Sequence, residues 1–263
     1  MINKNIQFSV STVCFSKINL ERTLNLISMG AIEFVEFHEV QENDLFNMKN
    51  KASYYESLLQ NYKLRVSGIH LHRSLKHLNP KELSEYILSV LPFAVSLGSD
   101  YIVIHPPKVV NEFEFQMYFK DLIDRIGENL TKMKALLSIE FLRYIPNTIN
   151  TFISILRNYE EIPLKVTIDT EHIHYFKECS VLEILESMIK YCNNIHLRDW
   201  DNNPWYQDGT RRYLPLGEGK IKFKRISKYL KQVQGYCTLE VPISGQMQLR
   251  EQVKLMKNIF NRN

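Results

Sequence analysis

Six segments of the chain close on a residue that can ligate a divalent metal or carry a proton: His70 in GIHLH, His105 in VIHPP, Glu140 in SIEF, Asp169 in TIDT, His196 in NIHLR and Glu240 in TLEV. Carboxylates and imidazoles ligate manganese, magnesium, zinc and their neighbours, and the same groups serve as general acids and bases. Taken singly, His70 and His105 have an ordinary explanation, a hydrogen bond from the ring to a nearby carbonyl. Glu140 and Glu240 do not. Each is embedded in an apolar run, LLSIEFL and CTLEVP, where an unpaired carboxylate would cost several kcal/mol. A metal ion or an arginine must neutralise them, and the density of ligand types favours a metal. Asp169 lies in TIDTEHIH, where His172, three residues on, can reach the same cavity from the loop that follows. Glu171 and His174 are read as solvated surface.

Such residues need a scaffold that brings six segments to one place. Each follows a short run of β-branched or aromatic residues, and two further runs precede them. The eight are IQFSVS, IEFVEF, LRVSGIH, DYIVIH, LLSIEF, LKVTID, NNIHLR and YCTLEV. They recur mostly every ~30 residues, the length of a strand, a helix and two loops. The stretches between them carry helix signals. In NPKELSEYILSVLPFAVSLG, Asn79 caps, Pro80 takes the first helical position, Leu83, Ile87, Val90, Leu91 and Ala94 form one apolar face, and Gly98 stops the helix. Pro92 is expected to kink it. Leu20, Leu24 and Ile27 line a helix ending at Gly30, and Phe223, Ile226, Tyr229, Leu230 and Val233 line one ending near Gly235.

Strands apolar on both faces and joined by helices must be parallel and covered, and eight of them close into a barrel. The expected fold is therefore α/β, a single (β/α)8 TIM barrel over residues 1–263, with function at the C-terminal ends of its strands. An open doubly wound sheet is the alternative; it calls for a glycine-rich phosphate loop after the first strand, and STVCFSK has none.

The remaining features set bounds. The 33 basic and 29 acidic residues leave a formal charge of +4, an excess that a solvated surface carries without a polyanionic partner. No run approaches the ~18 apolar residues needed to span a bilayer, and MINKNIQFSV lacks the apolar core of an export signal. Cys14, Cys179, Cys192 and Cys237 show no CxxC spacing. These features point to structural thiols in a reducing, cytoplasmic setting. The longest irregular stretch follows His196 and ends in LGEG, whose two glycines can take positive φ. Within it, Arg198, Arg211 and Arg212 are candidate anchors for an anionic or hydroxyl-rich ligand. Trp200 and Trp205 either stack on a sugar face or pack the loop down.

In this order and spacing, GIHLH, VIHPP, SIEF, IDTEH, IHLRD, LGEGKI and TLEVP resemble the xylose isomerase-like barrel superfamily. That superfamily includes sugar phosphate isomerases and epimerases and the endonuclease IV type of repair enzyme. The resemblance implies one divalent ion, manganese first and otherwise zinc, magnesium or cobalt, held by Glu140, Asp169, His196 and Glu240. It also implies a possible second metal at His70 and His105. The endonuclease branch holds a third metal through the histidine matching His172 and two further ligands before LGEG. Here those two positions are Arg211 and Tyr213, which are not zinc ligands at neutral pH.

The expected function is that of a metal-dependent sugar or sugar-phosphate isomerase or epimerase, working by proton transfer through an enediolate. Glu140 and Glu240 are its catalytic acid and base, and His70, His105, His172, Arg198 and Arg211 its substrate contacts. The expected partner is a small polyhydroxylated or phosphorylated substrate, with no membrane or nucleic acid and with self-association left open. The alternatives are a metal-dependent dehydratase of a dehydroshikimate-like hydroxy acid, an abasic-site phosphodiesterase, and a metabolite-binding barrel without metal.

Overall fold

In the computed structural model, residues 6–39, 51–109, 111–142, 148–175, 179–203, 205–208 and 212–261 are described. Eight strands pair side by side in chain order and close on themselves: β1 (Ile6–Ser11), β2 (Phe34–His38), β3 (Arg65–His70), β4 (Tyr101–Ile104), β5 (Leu136–Phe141), β6 (Leu164–Asp169), β7 (Cys192–Leu197) and β8 (Gly235–Leu239). Every pairing is parallel, including that of β1 with β8. The helices are α1 (Leu20–Met29), α2 (Ala52–Tyr62), α3 (Pro80–Ser96), α4 (Glu112–Met133), α5 (Thr148–Asn158), α6 (Thr170–Tyr175), α7 (Val181–Met188), α8 (Phe223–Leu230) and α9 (Gln246–Asn261). The (β/α)8 barrel read from the sequence is the fold.

The helices form where local signals place them. Asn79 and Glu82 close a reciprocal capping box around Pro80 at the start of α3, which buries Leu83, Ile87, Val90, Leu91 and Ala94 and continues through Pro92 to Ser96. Gly98 follows at φ +69°. Among the described residues no helix is long and apolar enough to cross a membrane.

One expectation is corrected. The strands are not apolar on both faces. Outward residues such as Leu137, Ile139, Val166, Ile168, Ile195, Leu197 and Leu239 join the core under the helices. The interior carries a layer of small polar side chains that bond one another across strands: Ser9 to Ser67 at 2.8 Å, Ser138 to Thr167 at 2.7 Å, and Thr238 to Asn194 at 2.8 Å. Side chains two apart in a strand share a face. Ser138, Thr167, Asn194 and Thr238 therefore lie one step below Glu140, Asp169, His196 and Glu240, so the polar layer is the floor of the site. A register shift between Val166 and Thr167, where Asn193 is the extra residue of β7, phases Asn194 and His196.

Cys14, Cys192 and Cys237 are buried, and burial pushes the Cys192 thiol up to about 12 and the other two further still. Native protein at neutral pH should therefore offer only Cys179 to an aromatic disulfide reagent, and all four thiols after unfolding. Rapid reaction of a second thiol in the native state would contradict this packing.

Candidate metal centre

The closed barrel gathers the expected residues at one end. His70 ends β3, His105 lies one residue past β4, Glu140 is in β5, Asp169 ends β6, His196 is in β7, and Glu240 lies one residue past β8. Glu140 is surrounded by imidazoles: His105 Nε2 at 2.8 Å, His196 Nδ1 at 3.3 Å and His70 Nε2 at 3.7 Å. Glu240 stands 3.7 Å from His70 Nδ1 and 3.7 Å from His196 Nδ1. The His70 ring is stacked on His196, with centroids 4.9 Å apart.

Asp169 works in two directions. Its Oδ1 accepts the backbone N–H of Glu171 at 2.7 Å and of His172 at 3.0 Å, which turns the chain directly into α6. Its Oδ2 pairs with the Arg198 guanidinium. His172 thereby reaches the cavity, as expected. Glu171 does not lie on the surface: it is buried, with Oε2 3.4 Å from Arg198 Nε. His174 is also turned inward at its ring, where Nδ1 bonds the Thr170 carbonyl at 2.6 Å.

Arg198 lines the cavity, yet its guanidinium is directed at protein carboxylates, Asp169, Glu171 and Glu240, the last at 3.2 Å. It holds the site together as much as it faces a ligand. The Tyr213 ring covers the guanidinium, 4.8 Å from centroid to Cζ. Arg212 pairs with Asp201 at 2.5 Å instead of facing the site, and Arg211 lies outside the described residues. Trp200 packs against Tyr175, whereas Trp205 lines the cavity.

Two residues of β2 were missed, Glu36 and His38. Glu36 is fully buried, and its Oε2 lies 3.1 Å from His196 Nε2. His38 stacks on His70 at 4.4 Å and lines the cavity. The signal was present: Glu36 interrupts the apolar run IEFVEF just as Glu140 interrupts LLSIEFL.

The loop after β7 is organised by Asp199. Its buried carboxylate accepts the N–H of Trp200 at 2.8 Å, Gly217 at 3.0 Å and Ile221 at 3.1 Å. This couples the IHLRD and LGEGKI segments. Gly217 has φ +90°, as expected, but Gly219 is needed for space: a Cβ there would meet Asp199 Oδ1 at 2.2 Å. Above the carboxylates opens a cavity of about 780 Å³, whose upper wall includes Lys76, Lys108 and Trp205. That volume suits a small molecule.

The electrostatics are lopsided. Glu36, Glu140, Asp169, Glu171 and Glu240 are buried together, and among the described residues Arg198 is the only buried Lys or Arg. Burial works to raise the carboxyl of Glu140, but His105 and His196 hold it well below the usual range. Glu36 is likewise driven up by burial and held well below the usual range by His196 and His70. Glu240 goes the other way, raised chiefly by burial. His196, although burial opposes its charge, is held well above the ordinary histidine range by Glu36 and Glu240.

A divalent cation fits this donor set. Glu140 Oε2, Glu240 Oε2 and both ring nitrogens of His70 are buried and make no hydrogen bond. Three groups have ligating atoms all within 4.8 Å of one another: Glu36, His70, His196 and Glu240; His70, His105 and Glu140; and Glu140, Asp169 and His172. The expected set of Glu140, Asp169, His196 and Glu240 is not one of these groups, because Arg198 lies between Asp169 and Glu240. Donors on one ion at ~2.1 Å stand about 3–3.5 Å apart, so separations of 3.3 and 3.7 Å need little adjustment.

Comparison with known proteins places these features in a family. Residues 26–259 match the family model described as a xylose isomerase-like TIM barrel. An uncharacterized protein of Methanocaldococcus jannaschii is 24% identical over 236 residues, 87% of this chain and 81% of the relative. Among solved structures, the 3-keto-D-glucoside 4-epimerase YcjR of E. coli superposes with a TM-score of 0.75 at 13% identity, covering 96% of this chain and 99% of that one. The probable 3-DHS dehydratase AsbF of Bacillus anthracis superposes with a TM-score of 0.74 at 17% identity, covering 98% and 100%.

Asp199→Ala leaves three backbone donors without their acceptor and should lower unfolding free energy by about 1–3 kcal/mol. Urea titration measures this, and an unchanged midpoint would show that Asp199 does not hold the loop.

Proposed function

The chain belongs to the xylose isomerase-like TIM barrel family, and from that premise we propose that it is a divalent-metal-dependent isomerase or epimerase of a small polyhydroxylated or phosphorylated substrate. The observation that carries this reading is the placement of two glutamates around one point. Glu140 and Glu240 approach the His70 ring at its two different nitrogens, each at 3.7 Å. Two carboxylates on different sides of a cavity can remove a proton from one face of a carbon and return one to the other.

The reaction begins at a C–H next to a carbonyl. One glutamate takes the proton, and the electron pair left behind is delocalised onto the carbonyl oxygen as an enediolate. The second glutamate delivers a proton to the neighbouring carbon or to the opposite face of the same carbon. His172, placed at the rim by Asp169, donates to a substrate oxygen, and His70 and His105 line the same wall. Arg198 keeps Asp169 and Glu240 in position. A divalent ion held by Glu140, Asp169, His196 and Glu240, manganese being the first expectation, would supply Lewis acidity to neighbouring substrate oxygens. Tyr213, committed to Arg198, gives no support to a three-metal phosphodiesterase.

The test is proton exchange in deuterated water. Manganese-loaded protein is incubated with a panel of ketoses, aldoses and their phosphates, and deuterium beside the carbonyl is followed by NMR. The wild type should incorporate label, and Glu140→Gln and Glu240→Gln should each slow this by about 10²-fold or more without loss of cooperative unfolding. If both variants exchange like the wild type, the assignment of the glutamates is wrong. Loss of water from a hydroxy acid, in place of isomerisation, would move the chain to the dehydratases.

A further inference from the structure

Glu36 has no part in the expected ligand set, yet it is the most heavily hydrogen-bonded carboxylate beneath it. Its Oε2 accepts from the Tyr101 hydroxyl at 3.0 Å and from Asn194 Nδ2 at 3.0 Å, and it stands 3.1 Å from His196 Nε2. The orientation of the Asn194 amide is fixed from its other side, where Oδ1 accepts the Thr238 hydroxyl at 2.8 Å. All of these groups are buried. Tyr101 can reach Glu36 because residue 68 is glycine: a Cβ there would lie 2.1 Å from the tyrosine ring.

The donor and acceptor inventory leaves little choice. A carboxylate that receives an O–H and an amide N–H is an acceptor, so the imidazole nitrogen facing the same oxygen must carry a proton. With Nε2 protonated, the lone pair of the neutral ring is on Nδ1. That nitrogen faces Glu140 Oε1 at 3.3 Å and Glu240 Oε2 at 3.7 Å.

We propose that Glu36 is a positioning residue: together with Tyr101 and Asn194 it locks the His196 ring so that Nδ1 is presented to the metal between Glu140 and Glu240. The proposal rests on the metal-dependent reading above and adds to it the atom through which His196 binds and the residues that select it. A carboxylate behind a ligating histidine fixes its tautomer and strengthens it as a ligand. The competing role for Glu36 is direct ligation through Oε1, which makes no hydrogen bond.

Zinc serves as the probe, on chelator-stripped full-length protein, with affinity measured by competition with a chromophoric chelator. Glu36→Gln keeps the shape but replaces half of the carboxylate with a donor, and it should weaken zinc binding by about 10- to 100-fold. In zinc-loaded wild type, nitrogen NMR should report His196 bound through Nδ1, with a slowly exchanging proton on Nε2. Unchanged affinity in Glu36→Gln overturns the proposal. Zinc bound through Nε2 in the wild type overturns it as well, whether or not the variant folds. Complete loss of zinc from the variant also overturns it, in favour of direct ligation. Failure of wild type to bind zinc or manganese at all removes the metal-dependent reading itself, which no result on the variant alone could do.

Discussion

The carboxylates of Glu36, Glu140, Asp169, Glu171 and Glu240 are buried at one end of the barrel, with the Arg198 guanidinium as the permanent cation among them. Charges in such a place must be paired or they cost more than a fold can carry. The rest of the site is arranged around that requirement. Arg198 answers three of the acids, imidazoles surround Glu140, and Tyr101, Asn194 and His196 gather at Glu36. What remains unanswered is a set of oxygens and ring nitrogens converging on one small volume, the environment in which a divalent ion is stable.

Beneath this layer the barrel is more polar than a core usually is. Serines, threonines and an asparagine occupy the inward positions two residues before the functional ones, and they bond across strands rather than leaving their hydroxyls unpaired. A rigid polar floor sets the direction of each side chain above it, which is how a site within a few tenths of an ångström of a useful geometry is held. The cover is built by another acid: Asp199 ties the long loop after β7 to the LGEG turn through three backbone N–H groups.

The fold was legible because its signals are local. Period-two runs, the Asn79 cap, Pro80 and the stopping glycines each act within a few residues. The barrel-end ligands were legible for the same reason, each closing its own run. Glu36 escaped because only strand ends were searched, while β2 continues past it to His38. Glu171 was misread because nothing near it in sequence shows that α6 starts at once and turns it toward Arg198. The Arg198 pairings depend on β6 and β7 being neighbours, with Asp169 level with His196, and no local pattern carries that. The polar floor was in plain view, as a serine, threonine or asparagine two places before each of Glu140, Asp169, His196 and Glu240. Its meaning appears only when the sheet closes.

The claim on which the account depends is that a divalent ion balances these buried acids. Thermal unfolding of chelator-stripped protein, repeated with manganese or zinc at ~100 times its dissociation constant, tests it most directly. Binding at that concentration contributes about 2.7 kcal/mol, which for a chain of this size raises the midpoint by roughly 5–10 °C. The account predicts that rise for at least one of the two ions and none for calcium-free salt of equal ionic strength. A midpoint indifferent to both ions would contradict it.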